Sequence, residues 1–113
     1  MGLNHDILSV RDTYKTEWDA AQSAGDVKDA IATSWENLCA AVLAIVSVAE
    51  SESRMGHKVL LNGIADGCAV EAAGLRATPE DWDDRRMEIC HRRWLHLILS
   101  INPYGAIHQD WGD

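Results

Sequence analysis

The stretch LCAAVLAIVSVAE, residues 38–50, decides the fold of this chain, because it holds one serine and no charge before its last residue. About a dozen apolar residues span roughly 18 Å as an α-helix, well short of the hydrocarbon core of a bilayer. The stretch therefore predicts a helix buried in a protein core rather than a membrane segment. Because it is apolar nearly all round, this helix has to be covered on two sides.

The composition indicates one acidic domain. A chain of 113 residues is long enough for a single core. Ten basic and eighteen acidic residues give a net charge of −8, which opposes direct binding to nucleic acid or to an anionic membrane. Cys39, Cys68 and Cys90 form no Cys-x-x-Cys pair and are typical of reduced thiols in a cytoplasmic protein. We expect a cytoplasmic location and no cofactor.

Apolar residues recur at helical spacing along most of the chain. The pattern predicts four helices, at about residues 3–24, 26–55, 57–73 and 79–101. Glycines are expected to end the first three helices, in the first case through a left-handed cap. These glycines are Gly25, Gly56 and Gly74.

Capping signals mark two of the helix starts. Asp26 is an N-cap candidate for the second helix. Thr78 followed by Pro79 and several acids is typical of a first helical turn and begins the fourth helix. Beyond it, residues 102–113 form a tail with Tyr104, Ile107 and Trp111 at spacings of three and four, and we expect this tail to dock.

Each predicted helix contributes one stripe to the core. The short connections favour antiparallel neighbours, so we predict an all-α single domain over residues 1–113, an antiparallel four-helix bundle with a short docked C-terminal tail. Gly63 and Gly67 in the third helix predict close packing or a local break. The stripes are Leu3, Ile7, Val10, Tyr14, Trp18 and Ala21; Val27, Ile31, Trp35, Leu38, Val42, Ile45 and Ala49; Leu60, Ile64, Cys68 and Leu75; Met87, Cys90, Trp94, Leu97, Ile98 and Ile101.

A basic strip lies on the fourth helix, in the stretch DDRRMEICHRRWLHLIL, residues 83–99. It is either a solvated face whose arginines pair with neighbouring acids, as Arg92 with Glu88, or a surface that binds carboxylates or phosphate. In the second case Trp82 and Ile89 would anchor a partner. The strip consists of Arg85, Arg86, Arg92, Arg93 and His96.

Arg86 and His91, in the sequence RMEICH, have the Arg-x4–6-His spacing and so resemble the signature of HEPN-type ribonucleases, which are small helical proteins and often dimeric. The resemblance covers these six residues, and Met87 stands where that family usually has a polar residue. It implies His91 as acid/base and Arg86 as the phosphate-holding residue. On an uninterrupted helix the two side chains point about 140° apart, so they could converge only at a dimer axis or a helix break.

Two acidic residues, Glu88 and Glu71, are further candidates for a site that involves His91. Glu88 and His91 have the Glu-x-x-His spacing of a di-iron half-site, but no second such pair occurs, which leaves a single metal ion on Asp84, Glu88 and His91 as the metal-dependent alternative. Glu71 falls within the apolar stripe of the third helix. It is expected at a fraying, solvated helix end, or else partly buried against an arginine or His91.

Trp82 and Trp111 lie off the core stripes, and carboxylates flank both. An aromatic side chain ringed by acids suits a contact that anchors in an apolar pocket and meets a basic rim. The predicted partner-binding residues are therefore Glu80, Asp81, Trp82, Asp83, Asp84 and Trp111.

The leading hypothesis is a non-enzymatic acidic interaction module that forms a homodimer and binds a protein with a basic surface. By size and charge the chain resembles inhibitors of phages and mobile elements, anti-CRISPR proteins among them. Such a protein would occlude a nucleic-acid-binding surface, with the carboxylates of residues 80–84 in place of phosphates. The alternative is a dimeric HEPN-like ribonuclease or a metal-dependent enzyme centred on Glu88 and His91.

Overall fold

A computed structural model describes residues 2–77 and 83–100, which form four α-helices and no strand. The helices are α1 (Leu3–Ala21), α2 (Val27–Ser51), α3 (Met55–Ala77) and α4 (Asp84–Ser100). The predicted all-α class is confirmed. The antiparallel arrangement of the whole bundle stays a prediction, and the expected docking of the tail lies outside the described residues.

α2 is the central helix of one core that joins all four helices. Its predicted stripe is buried from Ile31 to Ala49, and Val27 at its start is partly buried against the core. In the predicted stripe of α1, the residues at both ends are buried, whereas Val10 and Tyr14 between them are partly buried against the core. α1 and α3 pack against α2, while its remaining face stays exposed in the described structure.

The buried side of α3 is rotated relative to the stripe that its sequence predicts. Ile64 and Cys68 are buried as expected, whereas Leu60 and Leu75 are only partly buried. The additional buried positions are small or lie one residue further along, so the core side of α3 is rotated toward them. They are Leu61, Ala65 and Ala72.

Polar contacts hold both ends of α2 to its neighbours. The backbone N–H of Leu3, at the start of α1, donates to the carboxylate of Glu52 just after α2, at 2.8 Å. At the other end, Arg76 of α3 binds Asp29 at 2.7 Å and Glu36 at 2.8 Å. The Arg76 hydrogen bond holds the pKa of Glu36 below its ordinary value. Because the two Arg76 ion pairs are solvent-exposed, each adds little to stability.

The start of α2 is predicted correctly, but the end of α1 is not. Asp26 caps α2 by accepting a hydrogen bond from the backbone N–H of Asp29 at 3.0 Å. α1 ends at Ala21, and Gly25 does not take the left-handed conformation expected of it. A tight turn follows Ala21 instead, in which the N–H of Ala24 reaches the carbonyl of Ala21 at 3.2 Å.

The predicted boundary between α2 and α3 is also wrong. α2 ends at Ser51, and α3 runs over Met55–Ala77. Gly56 therefore lies in the first turn of α3, and Gly74 lies inside it rather than after it. Buried Ala72 and half-buried Leu75 gain from continuing the helix, and this burial outweighs the low helix propensity of glycine.

A Schellman motif ends α2 without a glycine. Ser53 has a positive φ of 59° and donates its N–H to the carbonyl of Glu50 at 3.1 Å. The N–H of Arg54 reaches the carbonyl of Ala49 at 2.8 Å. These two bonds satisfy carbonyls that the helix end leaves unpaired, and they turn the chain directly into α3.

α4 begins later than its sequence predicts. Asp83 is the N-terminal cap, and its carboxylate accepts the backbone N–H of Arg86 at 2.8 Å. The expected start at Thr78 and Pro79 lies outside the described residues. An acid in the first turn is predicted correctly. Asp84 lies there, where the helix dipole favours negative charge.

α2 is long and apolar enough to cross a membrane by length and composition alone. Less than half of the most apolar 18-residue stretch of α2 is buried inside the protein. The core helix of a soluble protein meets the same criterion. Fully buried Trp35, Leu38 and Val42 agree with the core position that the sequence predicts.

Replacing Ser53 with glycine should raise the free energy of unfolding by about 0.5–1 kcal/mol, because glycine adopts a positive φ without strain. The matched change Ser47→Gly, at an exposed position inside α2, should lower it by about 0.5 kcal/mol. Urea denaturation of both variants checks this. Equal destabilisation by the two substitutions would contradict the strain at Ser53.

Candidate functional site

Three tryptophans from three helices form an aromatic cluster at the centre of the structure. Trp94 of α4 stacks on Trp18 of α1, with ring centroids 4.8 Å apart and planes 8° from parallel. Trp35 of α2 presents its edge to both, at 6.2 Å from Trp18 and 5.2 Å from Trp94. All three rings are at most 1% exposed. The cluster therefore joins α4 to α1 and α2 through ring contacts that are worth more than their buried area alone.

His91 extends this cluster to the surface of α4. The indole N–H of Trp18 donates to Nδ1 of His91 at 3.0 Å, and the two rings stack 6.0 Å apart. Because Nδ1 accepts this hydrogen bond, it carries no proton, and only Nε2 is available for other chemistry. Spacing along one helix could not reveal this contact, since Trp18 and His91 come from opposite ends of the chain.

The structure does not bring Arg86 and His91 together within one chain. His91 faces Trp18 of α1. Arg86 instead lines a cavity beside α3, together with Cys90 and Glu71. The geometry implied by the HEPN resemblance would thus need a second chain, and the ribonuclease alternative stays a prediction.

The candidate metal ligands are also separated. Among the described residues, no three histidine, cysteine or carboxylate side chains gather closely enough to hold a metal ion. Glu88 binds Arg92 one turn further along α4, and His91 binds Trp18. Asp84 is exposed at the start of the helix. The described side chains of Asp84, Glu88 and His91 therefore form no ligand set.

Glu71 is half-buried and paired, so the expectation of a solvated, fraying helix end is wrong. α3 continues beyond it to Ala77. Nη1 of Arg93 lies 3.0 and 3.4 Å from the two Glu71 oxygens. The other interpretation, a carboxylate partly buried against an arginine, is the one that the structure supports. An ion pair across the α3–α4 seam provides the compensation that burial of a carboxylate needs.

A surface groove lies between α3 and α4, and we call it the α3–α4 groove. It consists of two adjoining cavities of about 660 and 300 Å³, which share Val70, Glu71 and Arg93. The Arg93–Glu71 ion pair crosses it. The larger cavity is lined by Asp66, Gly67, Val70, Glu71, Arg92, Arg93, His96 and Leu97.

The basic strip faces this groove and the solvent. Arg85, Arg92, Arg93 and His96 are exposed, and Arg86 is half-buried. Arg92 pairs with Glu88 and Arg93 with Glu71, as a solvated face with neighbouring acids would. Ile89 is 39% exposed within the strip. Both interpretations of the strip thus retain support, since two of its arginines are paired and its apolar residue is accessible.

The predicted partner-binding residues are only partly described. Asp83 and Asp84 are exposed at the start of α4. They are the last two acids of the stretch at residues 80–84, and Asp84 is the first residue of α4. The remaining predicted residues lie outside the described part of the chain; they are Glu80, Asp81, Trp82 and Trp111.

The cysteines act as core residues. Burial raises the pKa of the Cys68 thiol to about 12, with a smaller contribution from Cys39. Burial also raises the pKa of the Cys90 thiol, and nearby Glu71 adds to the effect. A thiol with a raised pKa is a poor nucleophile and a poor metal ligand at neutral pH. Cys68 and Cys90 therefore serve packing.

No protein-family model matches this chain, and no curated protein or solved structure matches it. Two features of the described structure offer contact surfaces: the exposed acids at the start of α4 and the α3–α4 groove.

The two buried indoles of α1 and α2 should respond differently to the same substitution. Trp18→Phe removes a hydrogen bond and leaves Nδ1 of His91 unpaired, whereas the indole N–H of Trp35 has no partner in the described structure. Trp18→Phe should therefore cost about 1–2 kcal/mol more than Trp35→Phe in the free energy of unfolding. Urea denaturation gives the difference, and equal costs would rule out a stabilising role for the hydrogen bond.

Proposed function

We propose that this protein is a non-enzymatic interaction module that binds a partner protein through its acidic surface. The observation that carries the proposal is the exposure of Asp83 and Asp84 at the start of α4, where they continue the acidic stretch of residues 80–84. The partner surface complementary to these carboxylates is basic. A tryptophan at position 82 supplies the apolar anchor for the same contact.

The charge distribution supports an acidic long-range field. Four bases of the described structure pair with the protein's own carboxylates: Lys58, Arg76, Arg92 and Arg93. Because these four bases are neutralised locally, they form no separate basic surface that would offset the net charge of −8. An acidic field accelerates encounter with a basic partner and repels nucleic acid.

Occlusion is the mechanism that this chemistry favours. Carboxylates at the start of α4 would occupy arginine and lysine side chains that otherwise bind phosphates, and nucleic acid would be displaced. Inhibitors of this kind occur in phages and mobile elements, which is the source we propose for this chain. A cytoplasmic location agrees with the same role.

A homodimer is part of the proposal, and α2 offers a face for it. Residues 37–49 carry no charge, and the outward side of α2 stays exposed. The hydroxyl groups of Ser47 and Ser51 donate to carbonyls of their own helix, at 3.1 and 2.9 Å, and so present little polarity outward. The outward residues are Ala40, Leu43, Ala44, Ser47 and Ser51.

Replacing both Asp83 and Asp84 with asparagine tests the acidic contact. Asparagine retains the capping function at position 83, so the helix start is preserved while two charges are removed. Inhibition of DNA binding by purified CRISPR effector nucleases, followed by fluorescence anisotropy, should weaken about tenfold. The matched pair Asp12→Asn and Asp19→Asn, at exposed positions of α1, removes the same charge and should change inhibition less than twofold.

Two outcomes would contradict the proposal. One is an equal loss in both double variants, which would indicate net charge rather than a defined contact. The other is the absence of inhibition by the unaltered protein across the effectors tested.

The enzymatic alternative is tested by His91→Asn. The asparagine oxygen can take the place of Nδ1 as acceptor for the Trp18 indole, and the substitution removes only Nε2. A binding module should keep its inhibition in this variant. Loss of a nuclease activity in His91→Asn, with folding unchanged, would establish the ribonuclease instead.

A further inference from the structure

α4 is attached less extensively than the central helix α2. Among the described side chains of α4, those of Cys90 and Trp94 are buried, whereas α2 buries a stripe along most of its length. The Trp18–His91 hydrogen bond ties α4 to α1 as well. A helix with little buried surface opens at a lower free-energy cost than the core does, so the state of a single contact can shift its docking.

The bond between Trp18 and His91 exists in only one protonation state of the imidazole. The indole N–H of Trp18 can only donate, and it reaches Nδ1 of His91 at 3.0 Å. A protonated imidazole carries a hydrogen on both nitrogens and has no acceptor left, so turning the ring over does not restore the bond. Protonation of His91 therefore leaves two N–H groups facing each other.

The surroundings of the two rings make the loss of this bond unfavourable. Trp18 is 1% exposed, so its indole N–H has little access to water once His91 stops accepting. A charged imidazole gains little from the indole face, because the ring centroids lie 6.0 Å apart, at the outer limit of a cation–π contact. His91 is half-buried, so protons reach it from solvent.

The charged groups around His91 are engaged elsewhere. On α4, Glu88 and Arg92 flank His91 and bind each other. On α2, Glu36 next to Trp35 binds Arg76 of α3. None of these ion pairs includes His91, so no carboxylate in them replaces the lost hydrogen bond after protonation. The ionisable residues of α1 within one turn of Trp18 are Tyr14, Lys15, Glu17 and Asp19, of which Glu17 accepts a hydrogen bond from Asn37.

We propose that His91 makes the docking of α4 sensitive to pH, so that α4 is held against α1 at neutral pH and released in mild acid. A histidine in water takes up a proton near pH 6.5. Docked α4 disfavours this proton and released α4 accepts it. Because the released state binds more protons, docking is most stable above that pH and weakens as the pH falls.

Release of α4 also affects the acidic contact. Asp83 caps α4 and Asp84 is its first residue, so both carboxylates move with the helix. Binding of a basic partner would therefore weaken in mild acid, and this consequence rests on the proposed function. The release of α4 does not rest on it, because the release is measured on the protein alone.

Amide hydrogen exchange of the full chain at pH 7.5 and pH 5.5, corrected for the intrinsic effect of pH on exchange rates, tests the proposal. Protection of residues 84–100 should fall by about fivefold at pH 5.5, the factor that corresponds to the loss of one typical hydrogen bond. Residues 31–49 of α2 should keep their protection. The Arg93–Glu71 pair does not act in this range, since a glutamate in water takes up a proton only near pH 4.3.

Three variants locate the effect. His91→Asn keeps an acceptor for the Trp18 indole but does not titrate, so protection of α4 should differ less than twofold between the two pH values. Trp18→Phe removes the donor, so α4 should be less protected at pH 7.5 and equally insensitive to pH. His96→Asn, which replaces an exposed histidine of the same helix, is the matched control and should retain the fivefold change.

Several results would overturn the proposal. One is unchanged protection of residues 84–100 at pH 5.5 in the unaltered protein, and another is a pH effect that persists in His91→Asn. A pH effect that disappears in His96→Asn would assign it to the wrong histidine, and an equal loss in α2 would indicate acid unfolding of the whole protein. Inhibition by the acidic contact is measured at neutral pH, so either proposal can fail without the other.

Discussion

The stack of Trp94 on Trp18 is the contact on which the position of α4 depends. Among the described side chains of α4, those of Cys90 and Trp94 are the buried ones. Trp94 touches α1 through Trp18 and α2 through Trp35, so one side chain ties the helix to two others. A buried tryptophan removes more apolar surface from water than any other side chain, and the ring geometry adds about 1 kcal/mol.

This anchoring explains why the other side of α4 is left open. The aromatic cluster fixes α4 against α1 and α2, whereas α3 meets it at Leu97 and through the Arg93–Glu71 pair. The α3–α4 groove is thus a consequence of where the tryptophans hold the helix. The same stack places His91 beside Trp18 as a hydrogen-bond acceptor.

Much of the fold could be predicted from the sequence, because apolar periodicity identifies the buried side of α1 and α2 directly. The helix ends could not. Gly56 and Gly74 lie inside α3, while Ser53 takes the left-handed conformation, because burial of neighbouring residues and a Schellman motif outweigh the local preference of glycine. Periodicity also could not predict the Trp18–His91 bond or the Glu71–Arg93 pair, since each joins residues of different helices.

Amide hydrogen exchange of Trp94→Ala shows whether Trp94 holds α4 in place. Exchange in residues 84–100 should accelerate by at least about a hundredfold, while residues 31–49 of α2 should keep most of their protection. Leu97→Ala, the matched truncation on the groove side of α4, should accelerate exchange far less. Unchanged protection of α4 in Trp94→Ala would show that Trp94 does not hold this helix, and so would an equal loss across all four described helices.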